Sequence, residues 1–195
     1  MLSFLENHDE VRFASSAFAG SVECHGAPAA RSLTPAPLAC AALLSDGPFM
    51  LYFGQEVGED AFGHDNNRTS IFNFETPVAI RLLWEYIHNP HTVLSADQAE
   101  LLALYRSILN LACGLDGTPM FDLCYCQREE SGFDPRRHFA FLRGGTLVFC
   151  NFSLSEVSLD LEIPAAAAAL NKVKENPVRV TCRAFGAYIK QLITN

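Results

Sequence analysis

The run Phe49-Met50-Leu51-Tyr52-Phe53, set between Asp46-Gly47-Pro48 and Gly54, narrows the folds open to this chain more than any other stretch. Five successive apolar side chains between turn signals predict a strand buried on both faces, the habit of parallel sheets; a strand with one wet face would alternate. A parallel neighbour requires a crossover, and helix-forming sequence lies just upstream. Thr34-Pro35 sets a capping residue and then a proline at a helix start. Leu38, Ala41, Ala42, Leu44 and Ser45 then read as a small helix facing a sheet, stopped by Asp46-Gly47-Pro48. Residues 2–6 are short and apolar, as at the end of another strand. The order strand, helix, strand is a βα repeat.

Residues 54–76 read as a polar loop rich in Gly, Asn and Asp. Thr76-Pro77 starts a helix that runs to about Ile87 and ends at Asn89-Pro90. Ser95-Ala96-Asp97-Gln98 is a capping-box pattern, and Leu101, Tyr105, Ile108 and Ala112 follow at helical spacing up to Gly114. After about residue 117 the texture changes. Phe121, Leu123 and Tyr125 alternate with Asp122, Cys124 and Cys126; residues 138–143 and 146–152 flank Gly144-Gly145 as a hairpin; Val157, Leu159, Leu161 and Ile163 alternate with polar residues. Pro177 to Phe185 and Tyr188 to Ile193 add further strands, and Ala165–Ala169 is a short connection. The expected division is an α/β part over residues 1–115 and a small antiparallel β-sandwich over 116–195.

The formal net charge of −8, with no Lys/Arg cluster larger than a pair, argues against nucleic acid or an anionic membrane as partner and favours a neutral, polyhydroxylated ligand. Seven cysteines without a Cys-x-x-Cys read as buried free thiols, with Cys124 and Cys126 on one face of an expected strand. This leans toward a reducing, cytoplasmic setting. No metal-ligand spacing, no signal peptide and no membrane-spanning apolar run is legible.

Chemistry is concentrated near the front. Phe4-Leu5-Glu6 runs straight into Asn7-His8-Asp9, three side chains able to hydrogen-bond sugar hydroxyls. A barrel strand delivers polar groups to its carboxyl end in this way. Phe4-Leu5-Glu6-Asn7-His8-Asp9 resembles the fourth signature region of the alpha-amylase family, glycoside hydrolase family 13, where an Asn-His-Asp triplet follows the seventh barrel strand. Gly47 to Glu56 resembles that family's eighth strand, which usually ends in an aromatic residue, Gly, any residue, Glu. Arg68-Thr69-Ser70-Ile71-Phe72 is similar to a loop that follows in many members, with Asn67 here in place of a glycine, and the trailing β part resembles the family's C-terminal domain. One departure is that the proline often found two residues after the glycine of strand 8 here directly follows Gly47.

The resemblance implies a partial (β/α)8 TIM barrel, its last two βα units, followed by the β-sandwich. It implies a retaining glycosidase acting on α-glucans, in which one Asp attacks the anomeric carbon, a Glu protonates the leaving oxygen and a second Asp stabilises the oxocarbenium-like transition state. Asp9 matches the stabilising carboxylate and His8 the histidine that hydrogen-bonds the reacting sugar, while Asn7 is expected to hold the loop. The nucleophile and the acid belong to the fourth and fifth strands, upstream of this sequence; Glu6, Glu10 and Glu56 are not candidates for those roles. Glu56 is expected to brace the mouth of strand 8, with a substrate contact as the lesser reading, and Arg68 is a second candidate contact. Arg12 is expected to pair with a carboxylate of the missing half. His64, Asp65, Asn66 and Asn67 form a polar loop tip, and Phe62 and Phe72 are aromatic candidates for stacking on a sugar.

Two strands cannot close a barrel of eight. The expectation is therefore a fragment of an alpha-amylase-like hydrolase, inactive alone, whose partners are an α-glucan or maltooligosaccharide and the missing N-terminal barrel half. No cofactor is expected in this segment; any calcium site belongs to the full-length enzyme. Two alternatives stand beside it. One is a non-catalytic α-glucan-binding module or partner subunit of the same family; the other is a structural β-domain protein with the α/β part as decoration.

Overall fold

The computed structural model describes residues 2–15, 25–44, 46–61 and 77–193. It is a mixed α/β structure with five helices, one parallel strand pair and antiparallel sheets among the described residues. The chain divides into two compact units. One comprises Met1–Thr34 and Gly47–Leu109, the other Pro35–Asp46 and Asn110–Asn195.

In the first unit β1 (Ser3–Phe4) lies parallel to β2 (Phe49–Met50), with Ser3 opposite Phe49 and Phe4 opposite Met50. The Ser3 N–H donates to the Pro48 carbonyl at 2.9 Å. Two segments more than forty residues apart in sequence thus run side by side in one direction. The expected five-residue strand, buried on both faces, is not what forms: β2 is half-buried, and Leu51 and Phe53 are exposed. Among the described residues β2 has a partner strand on one edge only, which leaves the rest of its surface uncovered by a sheet.

Helix α1 (Ala27–Leu33) is not expected from the sequence. Its one signal is Pro28 just inside the start, a position where the missing N–H costs nothing. Helix α3 (Val78–His88) follows Pro77, close to expectation, but it buries none of its residues. Helix α4 (Ala96–Gly114) starts at the expected capping box. The Ser95 N–H donates to Gln98 Oε1 at 3.0 Å and the Gln98 N–H to Ser95 Oγ at 3.3 Å. Leu101, Tyr105 and Ile108 are the buried stripe of this helix, as their spacing predicts.

The second unit takes helix α2 (Pro35–Leu43) together with a four-stranded antiparallel sheet in the order β3 (Met120–Asp122), β4 (His138–Arg143), β5 (Thr146–Asn151), β8 (Ala187–Gln191). A separate antiparallel pair, β6 (Val157–Leu161) and β7 (Val178–Cys182), completes it, with α5 (Ala165–Leu170) between them in sequence. The hairpin β4–β5 turns on Gly144 and Gly145, whose φ of 53° and 74° are the two positive values that a tight two-residue hairpin turn needs. Leu142, Leu147 and Phe149 share one buried cluster with Leu159, Leu161, Val178 and Val180, so both sheets contribute to a single core. The alternation along each strand decides which side chains enter it.

One expected strand is shorter than its alternation suggests. The Asp122 carboxylate accepts the Cys124 N–H at 2.8 Å and turns the chain, so Cys124–Cys126 form a 3-10 turn and not one face of a strand. Among the described residues no helix is long and apolar enough to cross a membrane.

Candidate functional site

The loop leaving β1 is built around two residues that fold it locally. Asn7 Oδ1 accepts the N–H groups of Asp9 at 2.8 Å and Glu10 at 3.1 Å, an Asx-type turn that substitutes a side chain for backbone pairing. Asn7 therefore holds the loop. The loop presents His8 and Asp9 to solvent, side by side, with His8 Nε2 3.3 Å from Asp9 Oδ2; the two side chains are 52% and 75% exposed.

Beneath the loop is a buried ion pair. Arg12 Nη1 donates to Glu6 Oε2 at 2.8 Å, and the side chains are 0% and 1% exposed. The other Glu6 oxygen accepts the Phe13 N–H at 2.8 Å, which closes residues 6–13 into a ring. Arg12 Nη2 donates to the Phe53 carbonyl at 2.8 Å, and its guanidinium lies over the Tyr52 ring, 4.5 Å from the centroid. Such a contact is worth more when desolvated, as here. This corrects the expectation that Arg12 would pair with a carboxylate of a missing half: its partner is Glu6, six residues back on the same loop. Arg12 ties the Asp9 loop to the segment just past β2. Burial raises the Tyr52 hydroxyl, against the pull of the Arg12 guanidinium beside it.

Glu56 sits in a 3-10 turn (Gln55–Val57) that follows Gly54. Burial pushes its carboxyl above the usual range, and its Oε2 is buried with no hydrogen-bond partner among the described residues. Glu59, just beyond, is likewise pushed up by burial, although Oε1 accepts the Ala61 N–H at 2.8 Å. Burial also raises Glu6, against the pull of Arg12. Burial raises the hydroxyl of the buried Tyr105 of α4, and the charges of Glu6 and Glu56 add to the effect. The result is a buried polar layer under the loop: one guanidinium among three carboxyls, all three of which are pushed up by desolvation.

The candidate residues read from the sequence are Asn7, His8, Asp9, Glu56 and Arg68. The first three share one loop, Glu56 lies past β2, and Arg68 falls outside the described residues, as do Phe62, His64, Asp65, Asn66, Asn67 and Phe72. The Glu6–Arg12 brace is absent from that set. A Glu and an Arg flanking a polar loop at a separation of six residues are the available signal, but only a closed loop brings them together. Among the described residues no group of three or more His, Cys, Asp or Glu is arranged to hold a metal ion. Chemically, the exposed part offers a carboxylate beside an imidazole, a pair able to hydrogen-bond hydroxyl groups.

No protein-family model and no curated protein matches this sequence. Solved structures do. An alpha-amylase from Malbranchea cinnamomea superposes with a TM-score of 0.50 at 16% identity, over 96% of this chain and 36% of its own. A protein from Thermus thermophilus superposes with a TM-score of 0.54 at 20% identity, over 97% of this chain and 35% of its own. At these identities the likeness is one of fold: the chain bears a distant structural resemblance to an alpha-amylase, which is a glycoside hydrolase. The chain spans about a third of the length of these solved structures.

Proposed function

We propose that this chain is the C-terminal portion of an alpha-amylase-like retaining glycoside hydrolase acting on α-glucans: the last two βα units of a (β/α)8 barrel followed by an antiparallel β-sandwich domain. In this reading Asp9 is the carboxylate that stabilises the oxocarbenium-like transition state, and His8 hydrogen-bonds hydroxyls of the reacting sugar. Asn7 keeps both in place. Glu56 and Arg68 are the further substrate-binding residues. The nucleophile and the general acid come from strands that this chain does not contain, so the chain alone does not hydrolyse starch.

The observation that carries the reading is the parallel register of β1 on β2, with the Asn7-His8-Asp9 loop directly after β1 and tied by Arg12 to the Phe53 carbonyl. Barrel enzymes assemble their sites from loops at the carboxyl ends of adjacent parallel strands. The exposure of apolar surface in the same unit also supports it. Phe4 of the strand pair is exposed, and α3 leaves Val78 72%, Ile87 66% and Trp84 62% accessible. Apolar helix faces are normally buried, and more strands and helices of one barrel would cover these.

The test is release of reducing ends from soluble starch and maltoheptaose by the purified chain, with calorimetric titration of maltoheptaose alongside. No turnover is expected. Turnover that Asp9→Asn abolishes would overturn the assignment of the missing groups to other strands. Millimolar or tighter binding without turnover would instead favour a non-catalytic α-glucan-binding module.

A further inference from the structure

In the second unit the chain closes a small ring just before β4. The Asp134 N–H donates to His138 Nδ1 at 2.9 Å, and the Asp134 carbonyl accepts the N–H groups of His138 at 2.8 Å and Arg137 at 3.0 Å. The Asp134 carboxylate accepts the Arg136 N–H at 2.9 Å and lies 3.7 Å from Arg137 Nε. Asp134 thus binds His138 twice, once as donor and once as acceptor. Gly132 to Arg136 line a cleft of about 500 Å³. The imidazole is 6% exposed and shares a sheet face with Ala140 and Leu142, which enter the core. Its centroid lies 5.5 Å from the Phe133 ring and 5.4 Å from the Phe149 ring of β5. A ring nitrogen that accepts an N–H carries no proton, so this imidazole is neutral with its proton on Nε2.

We propose that His138 is a proton-operated latch: unprotonated, it holds the 132–136 loop against β4 through the Asp134 N–H, and protonation releases that loop and reshapes the cleft it lines. A proton on Nδ1 sets two N–H groups against each other where one hydrogen bond stood, and it places a charge among Phe133 and Phe149. The closed ring therefore belongs to the neutral imidazole alone. Burial lowers His138 below its ordinary value of 6.5, with Asp134 opposing and Arg137 adding to the effect. Other groups around the ring do not compete for the proton. β5 presents Phe149 and, opposite His138 in register, Asn151. The β6–β7 pair brings Cys182 to the same core, with Glu156 and Arg183 acting on it; the 3-10 turn brings Cys124 against that core, with Asp122 acting on it. Burial pushes both thiols up to about 11, so they stay neutral where His138 titrates.

The unmutated chain, labelled with nitrogen-15, is titrated by NMR from neutral to mildly acidic pH, and exchange of the Asp134 amide is read at each point as a protection factor. The expected ring is the Nε2–H tautomer at neutral pH, titrating below 6.5. Through that same midpoint Asp134 protection should fall about tenfold, the scale of one hydrogen bond, while the β4–β5 ladder keeps its protection. In His138→Phe the Asp134 amide should be unprotected at neutral pH as well. An Nδ1–H tautomer at neutral pH, or Asp134 protection unchanged across the imidazole titration, would overturn the proposal. The titration of the unmutated chain decides the matter even if the variant does not fold. These readouts are specific to residues 134 and 138, which separates them from the opposite pH dependence that Glu56 and Glu59 give to overall stability.

Discussion

Arg12 and Glu6 face each other at 2.8 Å in a site that excludes water from both, and the same guanidinium reaches the Phe53 carbonyl. A buried pair of this kind stabilises little against a well-packed apolar substitute, but removing one partner strands the other charge. Its structural effect is to fix the distance between the loop carrying Asp9 and the end of β2.

That asymmetry is measurable. Arg12→Met alone should cost about 3–5 kcal/mol, because Glu6 is left buried without its cation. Adding Glu6→Gln should recover a large part of the loss. Urea denaturation of both single variants and the double gives the coupling. A double variant no more stable than Arg12→Met would contradict the account.

Asn7 makes a smaller and more local contribution. Asn7→Ala removes the acceptor for two backbone N–H groups in an exposed turn, so the expected loss is about 1 kcal/mol, with Asn7→Asp close to the original. Hydrogen exchange of the Asp9 and Glu10 amides should accelerate in Asn7→Ala, which separates loosening of this loop from a global effect.

Stability should fall as pH rises from mildly acidic to neutral. Burial lifts the folded-state carboxyls of Glu56 and Glu59 above their unfolded value of 4.5. Between that value and the raised ones the folded chain binds more protons than the unfolded chain, so unfolding free energy decreases with pH in this window. Melting curves from mildly acidic to neutral pH should show it, and Glu59→Gln should flatten the slope.

Gly58 leaves no room for a side chain. Its φ is +73°, and a Cβ there would sit 2.4 Å from the Ala27 Cα, a backbone atom at the start of α1. Gly58→Ala combines left-handed strain with a clash that no side-chain rotation relieves, at a cost of at least about 1–3 kcal/mol. Thermal unfolding of the variant tests this.

The extent to which this fold is legible in the sequence follows from where its information is local. The β4–β5 hairpin rests on two adjacent glycines, and α4 on four residues of a capping box, so both can be read directly. Helix α1 lacks a capping side chain and a polar face, and the sequence gives it little mark. The strand at Phe49 is legible, but its burial is not, because burial depends on neighbours that two strands do not supply. Cys124 and Cys126 follow a plausible alternation that a single Asp122 hydrogen bond interrupts by turning the chain. For the site, the loop residues stand out by type and order. The brace beneath them does not, since an Arg carries no mark of which carboxylate it will meet.

The central claim is that Asp9 is one carboxylate of three, and that the other two belong to strands encoded just upstream. Sequencing the transcript through the Met1 codon tests it most directly. The account predicts an open reading frame continuing upstream in frame by about 200–300 residues, the size of the remaining barrel, with strand segments that end in an Asp and a Glu. A stop codon in frame immediately before Met1, in a transcript translated to a stable protein that hydrolyses starch, would contradict it.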